Sequence, residues 1–104
     1  MEALAKLGRT AEATTLLNEF VATRNVAPYT SGDVLQNVLA EKRKEFFTEG
    51  HRFFDLKRNN LPINKETNCL TCDVPVGDRL FVFPVDRVEL GRNSLMTQYP
   101  GWDQ

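Results

Sequence analysis

The sequence predicts a mainly α fold. It reads as a tetratricopeptide-like helical hairpin plus one long helix, then a long loop, a short strand and an irregular tail. Three observations carry this reading. Apolar residues recur at helical spacing through "TAEATTLLNEFVATR". The stretch "EKRKEFFTEGHRFFDLKR", residues 41–58, sustains a helical pattern of charge and phenylalanine. Beyond residue 58, Pro, Asn and Gly break every period. At 104 residues the chain fits one domain by length, with room for a modest core. Its 41% hydrophobic and 26% charged content is ordinary for a globular protein. Thirteen basic against 14 acidic residues leave a charge of -1, which gives no electrostatic bias toward nucleic acid or an anionic membrane. No apolar run approaches the roughly 18 residues of a membrane span, and Met1 is followed by Glu2 rather than a signal region.

The hairpin, residues 1–25, reads as the end of one helix, a turn at Gly8, and a second helix from about Thr10 to Arg24. Thr10 is the expected N-cap, and Ala13, Leu16, Leu17, Phe20 and Val21 form the apolar face. The first helix is short enough that Met1 reads as an artificial start. In "NVAPYTSG" Pro28 excludes helix, and Ser31 or Asp33 is available to cap the next helix.

The long helix is expected over 32–58. On a 3.6 period, Leu35, Leu39, Phe46, Gly50 and Phe53 form one stripe and Ala40, Phe47 and Phe54 an adjacent one, with Arg43 inside the apolar arc. A charge there is costly unless paired, so Arg43 is expected to be buried against an acidic group or orphan carbonyls. Glu41, Glu45, Glu49, Arg52 and Asp55 lie at i+3 and i+4 steps outside the arc. Together with Arg43 they are read as a structural ion network. Gly50 costs roughly 1 kcal/mol against Ala in a helix interior, which points to a close backbone approach or a local bend.

Residues 59–78 have the composition of a loop, "RLFVF" at 79–83 is the strand candidate, and "VDRVELGRN" suits one or two helical turns capped by Asp86 and stopped by Gly91. Trp102 is expected to dock on the body of the protein, since exposed tails seldom carry a Trp. Cys69 and Cys72, in "CLTC", leave several readings open: a redox pair, half a zinc site, a disulfide or idle thiols.

In their order these features resemble the C-terminal portion of the SusD/RagB family of outer-membrane nutrient-binding lipoproteins. "LAEKRKEFFTEGHRFFDLKR" is similar to the family's Glu-Arg-Arg, Glu, Glu-Gly-x-Arg and Asp-Leu-x-Arg pattern, here on Glu41, Lys42, Arg43, Glu45, Glu49, Gly50, Arg52, Asp55, Leu56 and Arg58. "EALAKLGRTAEATTLLNEFVATRN" resembles the helical hairpin before that helix. "FVFPVDRVELGRNSLMTQYPGW" resembles the family's ending. Lys42 stands for the first Arg of the pair, "FPV" for Pro-Ile-Pro, Ser94 for Pro and Tyr99 for Asn. The resemblance implies that residues 1–104 are a fragment of one longer α-rich domain. It further implies a cell-surface location through a lipid anchor outside this chain, and delivery of captured oligosaccharides to a TonB-dependent (SusC-like) transporter. An exported location permits a disulfide.

No catalytic residue, metal ligand or cofactor is assigned. Carboxylates one helical turn apart, interleaved with Arg52 and Lys44, suit a structural ion network better than a glycosidase pair. Zinc would need further ligands, and His51 is the one imidazole. His51 reads as a surface or hydrogen-bonded histidine. Tyr29, Tyr99 and Trp102 offer faces on which sugar rings stack. The resemblance implies a protein that binds a glycan or other nutrient and does not catalyse, and of this chain alone at best feeble glycan affinity is expected. The alternative is a helical protein-interaction module with no small ligand. As a fragment, the chain is expected to self-associate through apolar surface left uncovered, or to pack its tail across the gap.

Overall fold

A computed structural model describes residues 1–103. The described residues are mainly helical: α1 (Glu2–Lys6), α2 (Thr10–Ala22), α3 (Val34–Glu45), α4 (His51–Arg58) and α5 (Arg87–Arg92), with strands β1 (Ile63–Asn64) and β2 (Asp73–Val74). The chain forms two compact units, Met1–Arg52 and Phe53–Gln104.

In the first unit the expected helix, turn and helix are present. Gly8, at φ 75°, ends α1: its N–H bonds the Ala5 carbonyl and the Arg9 N–H bonds the Leu4 carbonyl, at 3.1 and 2.9 Å. This pairing of the last carbonyls needs a left-handed residue, which Gly supplies without steric cost. Thr10 does not cap α2. Arg9 holds that position without a side-chain cap, and its guanidinium engages both oxygens of Glu12 at 2.6–2.7 Å. Ala13, Leu17 and Val21, one turn apart, are fully buried, whereas Leu16 is exposed. Leu17 and Val21 pack with Val38 of α3, and Phe20, Tyr29 and Val34 close around them. Of the two candidate caps for α3, Asp33 serves: its carboxylate accepts the Gln36 N–H at 2.8 Å. Lys42 of α3 reaches Glu2 of α1 at 3.0 Å.

The single helix expected over 32–58 is two. α3 stops at Glu45, Thr48 and Gly50 take φ of 69° and 79°, and α4 begins at His51. A right-handed helix cannot pass through residues at positive φ, so the apolar stripe drawn across the break does not exist. Phe46 and Phe47 are accordingly exposed. A Cβ at Gly50 would meet nothing within 4 Å, so its role is the bend and not a close approach. Gly50→Ala is expected to cost about 1–2 kcal/mol through backbone strain alone. A urea titration checks this, and an unchanged midpoint would show that the bend does not require glycine.

The second unit is held by a few specific contacts. α4 ends with Asn60 at φ 49°, where the Leu61 N–H returns to the Leu56 carbonyl at 2.9 Å. Residues expected as loop pair as a minimal antiparallel hairpin, Ile63 opposite Val74, with the Lys65 N–H on the Cys72 carbonyl at 3.1 Å. The strand expected over 79–83 is absent. Arg79–Phe81 is one turn of 3₁₀ helix, because the Asp78 carboxylate accepts the Leu80 N–H at 2.8 Å and turns the chain before it can extend. That turn buries Phe81 beside Phe53, with ring centroids 5.9 Å apart, and Leu56 and Val74 are also buried. The Lys57 ammonium donates to the Phe81 carbonyl at 2.9 Å. Asp86 caps α5 as expected, accepting the Val88 N–H at 2.7 Å, but Gly91 lies within that helix and Asn93 follows its end.

Trp102 docks within its own unit. Its indole N–H is shared between the Arg79 and Val82 carbonyls at 3.1 and 3.0 Å. The Arg79 guanidinium lies 4.4 Å from the ring centroid and donates to the Gly101 carbonyl at 3.1 Å. Gly101, at φ 89°, occupies the third position of the Tyr99–Trp102 turn, after Pro100.

Candidate functional site

The buried, hydrogen-bonded charge of α3 is Glu41, not Arg43. Taken on α3 alone, Val34, Val38, Glu41 and Glu45 fall on one stripe at i, i+4, i+7 and i+11, and this stripe places Glu41 over the core. Its side chain is 5% exposed. The Tyr29 hydroxyl donates to Glu41 Oε1 at 2.6 Å and Lys44 Nζ donates to the same oxygen at 2.5 Å. Tyr29 is itself pinned, because the Asn18 side-chain amide accepts its N–H at 2.8 Å and donates to its carbonyl at 3.1 Å. The loop between α2 and α3 is therefore tied to both helices through one tyrosine.

Hydrogen bonds from Lys44 and Tyr29 hold the Glu41 carboxyl below its ordinary value of 4.5, against the opposing effect of burial. The bond to Glu41 in turn raises the Tyr29 hydroxyl above its ordinary value, and the same carboxylate raises Lys44. For a carboxyl depressed in the folded state, the added stability is present above the unfolded value and lost as pH falls through the folded one. Glu41→Gln is expected to cost about 2 kcal/mol at neutral pH. It should also flatten the dependence of stability on pH below about pH 4.5. Urea unfolding at a series of acidic pH values checks both, and parallel curves for the two proteins would contradict the assignment.

The other members of the expected ion network have separate partners. Glu45 pairs with Arg24 at the end of α2, whose guanidinium also lies 4.3 Å from the Phe20 ring centroid. Asp55, buried, accepts from Arg58 at 2.5 Å. Glu49 lies 3.9 Å from His51, and Arg52 is half-buried. Arg43 is exposed, and makes no hydrogen bond or ion pair among the described residues. Its expected burial followed from the unbroken wheel; the buried, paired charge of this helix is Glu41.

His51 is exposed, its ring 4.8 Å from Phe46. Cys69 and Cys72 are joined in a disulfide, which decides among the readings left open by the sequence. Among the described residues no group of three or more His, Cys, Asp or Glu is arranged to hold a metal. No helix among them is long and apolar enough to cross a membrane.

Two concave surfaces bear on ligand binding, each within one unit. A cleft of about 600 Å³ runs along α3, with Leu39, Ala40 and Phe47 as its apolar wall and Arg43, Lys44 and Arg52 as its cations. Its volume is in the range of small-molecule sites. In the second unit a pocket of about 160 Å³ lies between the end of α4, the turn at Gly77 and Tyr99. Of the three aromatics proposed as sugar platforms, Tyr29 is engaged with Glu41 and Trp102 with Arg79, while Tyr99 lines this pocket. Sequence reasoning placed Tyr99 in an irregular tail and did not bring it to Asn60 and Asp78.

The SusD family model matches residues 1–102. Comparison with curated proteins found no match. Among solved structures, the chain is similar to one described as a "Putative sugar binding protein from Bacteroides vulgatus", at 30% identity and a TM-score of 0.77. That similarity covers 97% of this chain and 26% of the other, so the chain spans about a quarter of that protein's length. A family match over nearly every residue, on a fold shared at 30% identity, establishes that the chain belongs to the SusD family.

Proposed function

We propose that the chain is part of a cell-surface, SusD-like lipoprotein that captures oligosaccharides and delivers them to a TonB-dependent outer-membrane transporter. The observation that carries this reading is the structural similarity, across 97% of the chain, to a protein described as sugar-binding. On this reading residues 1–104 supply the C-terminal portion of one longer domain, and the protein binds its glycan without chemical change. The disulfide that closes the hairpin at Cys69 and Cys72 supports an oxidising, exported location.

We favour binding through a few side chains carried on fixed backbone in the second unit over binding in the larger, cationic cleft along α3. Most charged groups around α3 are committed to one another, whereas Asn60 and Tyr99 of the second unit are left to meet a ligand. Affinity purification of the complete protein from outer membranes tests the assembly. Co-purification of a TonB-dependent transporter and labelling of a lipidated N-terminal Cys are expected. A cytoplasmic protein with neither would overturn the proposal.

A further inference from the structure

We infer that the pocket bounded by Asn60, Asp78 and Tyr99 is a subsite for a single neutral pyranose ring of the captured glycan. This inference rests on the sugar-capture reading and adds to it a place and a chemical class. The volume, about 160 Å³, leaves room for one sugar ring. Leu61 and Val76 give apolar walls, and Tyr99 gives an aromatic surface for the C–H face of a pyranose.

The polar groups suit hydroxyls. Neither the Asn60 side-chain amide nor the Tyr99 hydroxyl makes a hydrogen bond among the described residues. An amide offers donors and an acceptor together, and a phenol offers one of each, which matches the dual character of a sugar hydroxyl. Lys57 gives one N–H to the Phe81 carbonyl and keeps two. The Asp78 carboxylate gives one oxygen to the Leu80 N–H and keeps the other. The two charges are opposite, so the pocket has no net bias toward an anion or a cation. A neutral sugar therefore fits it better than a uronate or a sulfated sugar. The α3 cleft, lined by three cations, has the opposite preference.

The three polar positions sit on backbone that is already fixed. Asn60 is held at φ 49° by the bond that closes α4. Asp78 ends the turn begun at Pro75, its N–H on the Pro75 carbonyl at 3.2 Å, with Gly77 at φ 83° in the third position. Tyr99 opens the turn closed by the Trp102 N–H at 3.1 Å. Little backbone freedom remains to be lost on binding, which favours affinity from a small contact.

The test is a titration of the 104-residue chain, followed by amide ¹H–¹⁵N shifts, with methyl glycosides of glucose, galactose and mannose and with glucuronate. Tyr99→Ala removes the platform, and Asn60→Gly removes the amide while keeping a residue that accepts positive φ. Expected are saturable shifts at Asn60, Gly77, Asp78 and Tyr99 with at least one neutral glycoside, and at least tenfold weaker binding in both variants. Shifts along α3 instead, unchanged affinity in the variants, or preference for glucuronate would overturn the pocket assignment and leave sugar capture standing. No shift with any of these sugars would overturn the assignment, and if the complete protein also binds no oligosaccharide, sugar capture falls with it.

Discussion

Leu17→Ala is expected to destabilise the first unit by about 3 kcal/mol, enough to unfold much of a marginally stable population at 37 °C. Leu17 is fully buried, on the α2 face between Ala13 and Val21, and packs with Val38 of α3. Truncation removes three carbons from contact with all of these. The helices are fixed by other bonds, Lys42 to Glu2 and Tyr29 to Asn18 and Glu41, so the cavity cannot fully collapse. Leu16→Ala, one residue away, is exposed and should cost under about 0.5 kcal/mol. Denaturant unfolding followed by helical circular dichroism separates the two. Equal losses would mean that the α2 face turned to the core is not the one described.

Trp102→Ala is expected to cost about 3 kcal/mol in the second unit. The indole contributes apolar contact, a cation–π surface for Arg79, and one N–H shared by two carbonyls. Removing it leaves the Arg79 and Val82 carbonyls short of a donor at the turn that buries Phe81. Trp102→Phe keeps a ring for Arg79 and removes the donor, so it should cost about 1 kcal/mol. Thermal melts of the two variants give the comparison. A Phe variant as damaged as the Ala variant would place the whole effect on the hydrogen bond and none on packing.

How far the sequence spoke for itself depended on the range over which its signals act. Most local signals were legible: Gly8 as a turn, Asp33 (or Ser31) and Asp86 as caps, and Ala13, Leu17 and Val21 as part of a face all depend on residues within one helical turn, although Thr10 and Gly91 did not take the cap and stop positions expected of them. The break between α3 and α4 was half legible. Gly50 marked either a close backbone approach or a bend, but a helical wheel carries phase through any residue, and the positive φ at Thr48 and Gly50 resets it. The same loss of phase moved the buried charge from Arg43 to Glu41. The hairpin around Cys69 and Cys72 was not legible, since strands of two residues are too short to show an alternation. The meeting of Asn60, Asp78 and Tyr99 was not legible either. It depends on three turns and on the docking of Trp102, which are tertiary facts. The family resemblance did not suffer from these errors, because it rests on the order of residues along the chain and not on where the helix breaks.

On the function proposed above, this SusD-family chain belongs to a protein that captures sugars. Isothermal titration calorimetry of the complete, folded protein against a panel of neutral and acidic oligosaccharides tests it most directly. Saturable binding of at least one neutral oligosaccharide, weakened by Tyr99→Ala, is the predicted result. A folded protein that shows no saturable heat change with any member of the panel would contradict sugar capture.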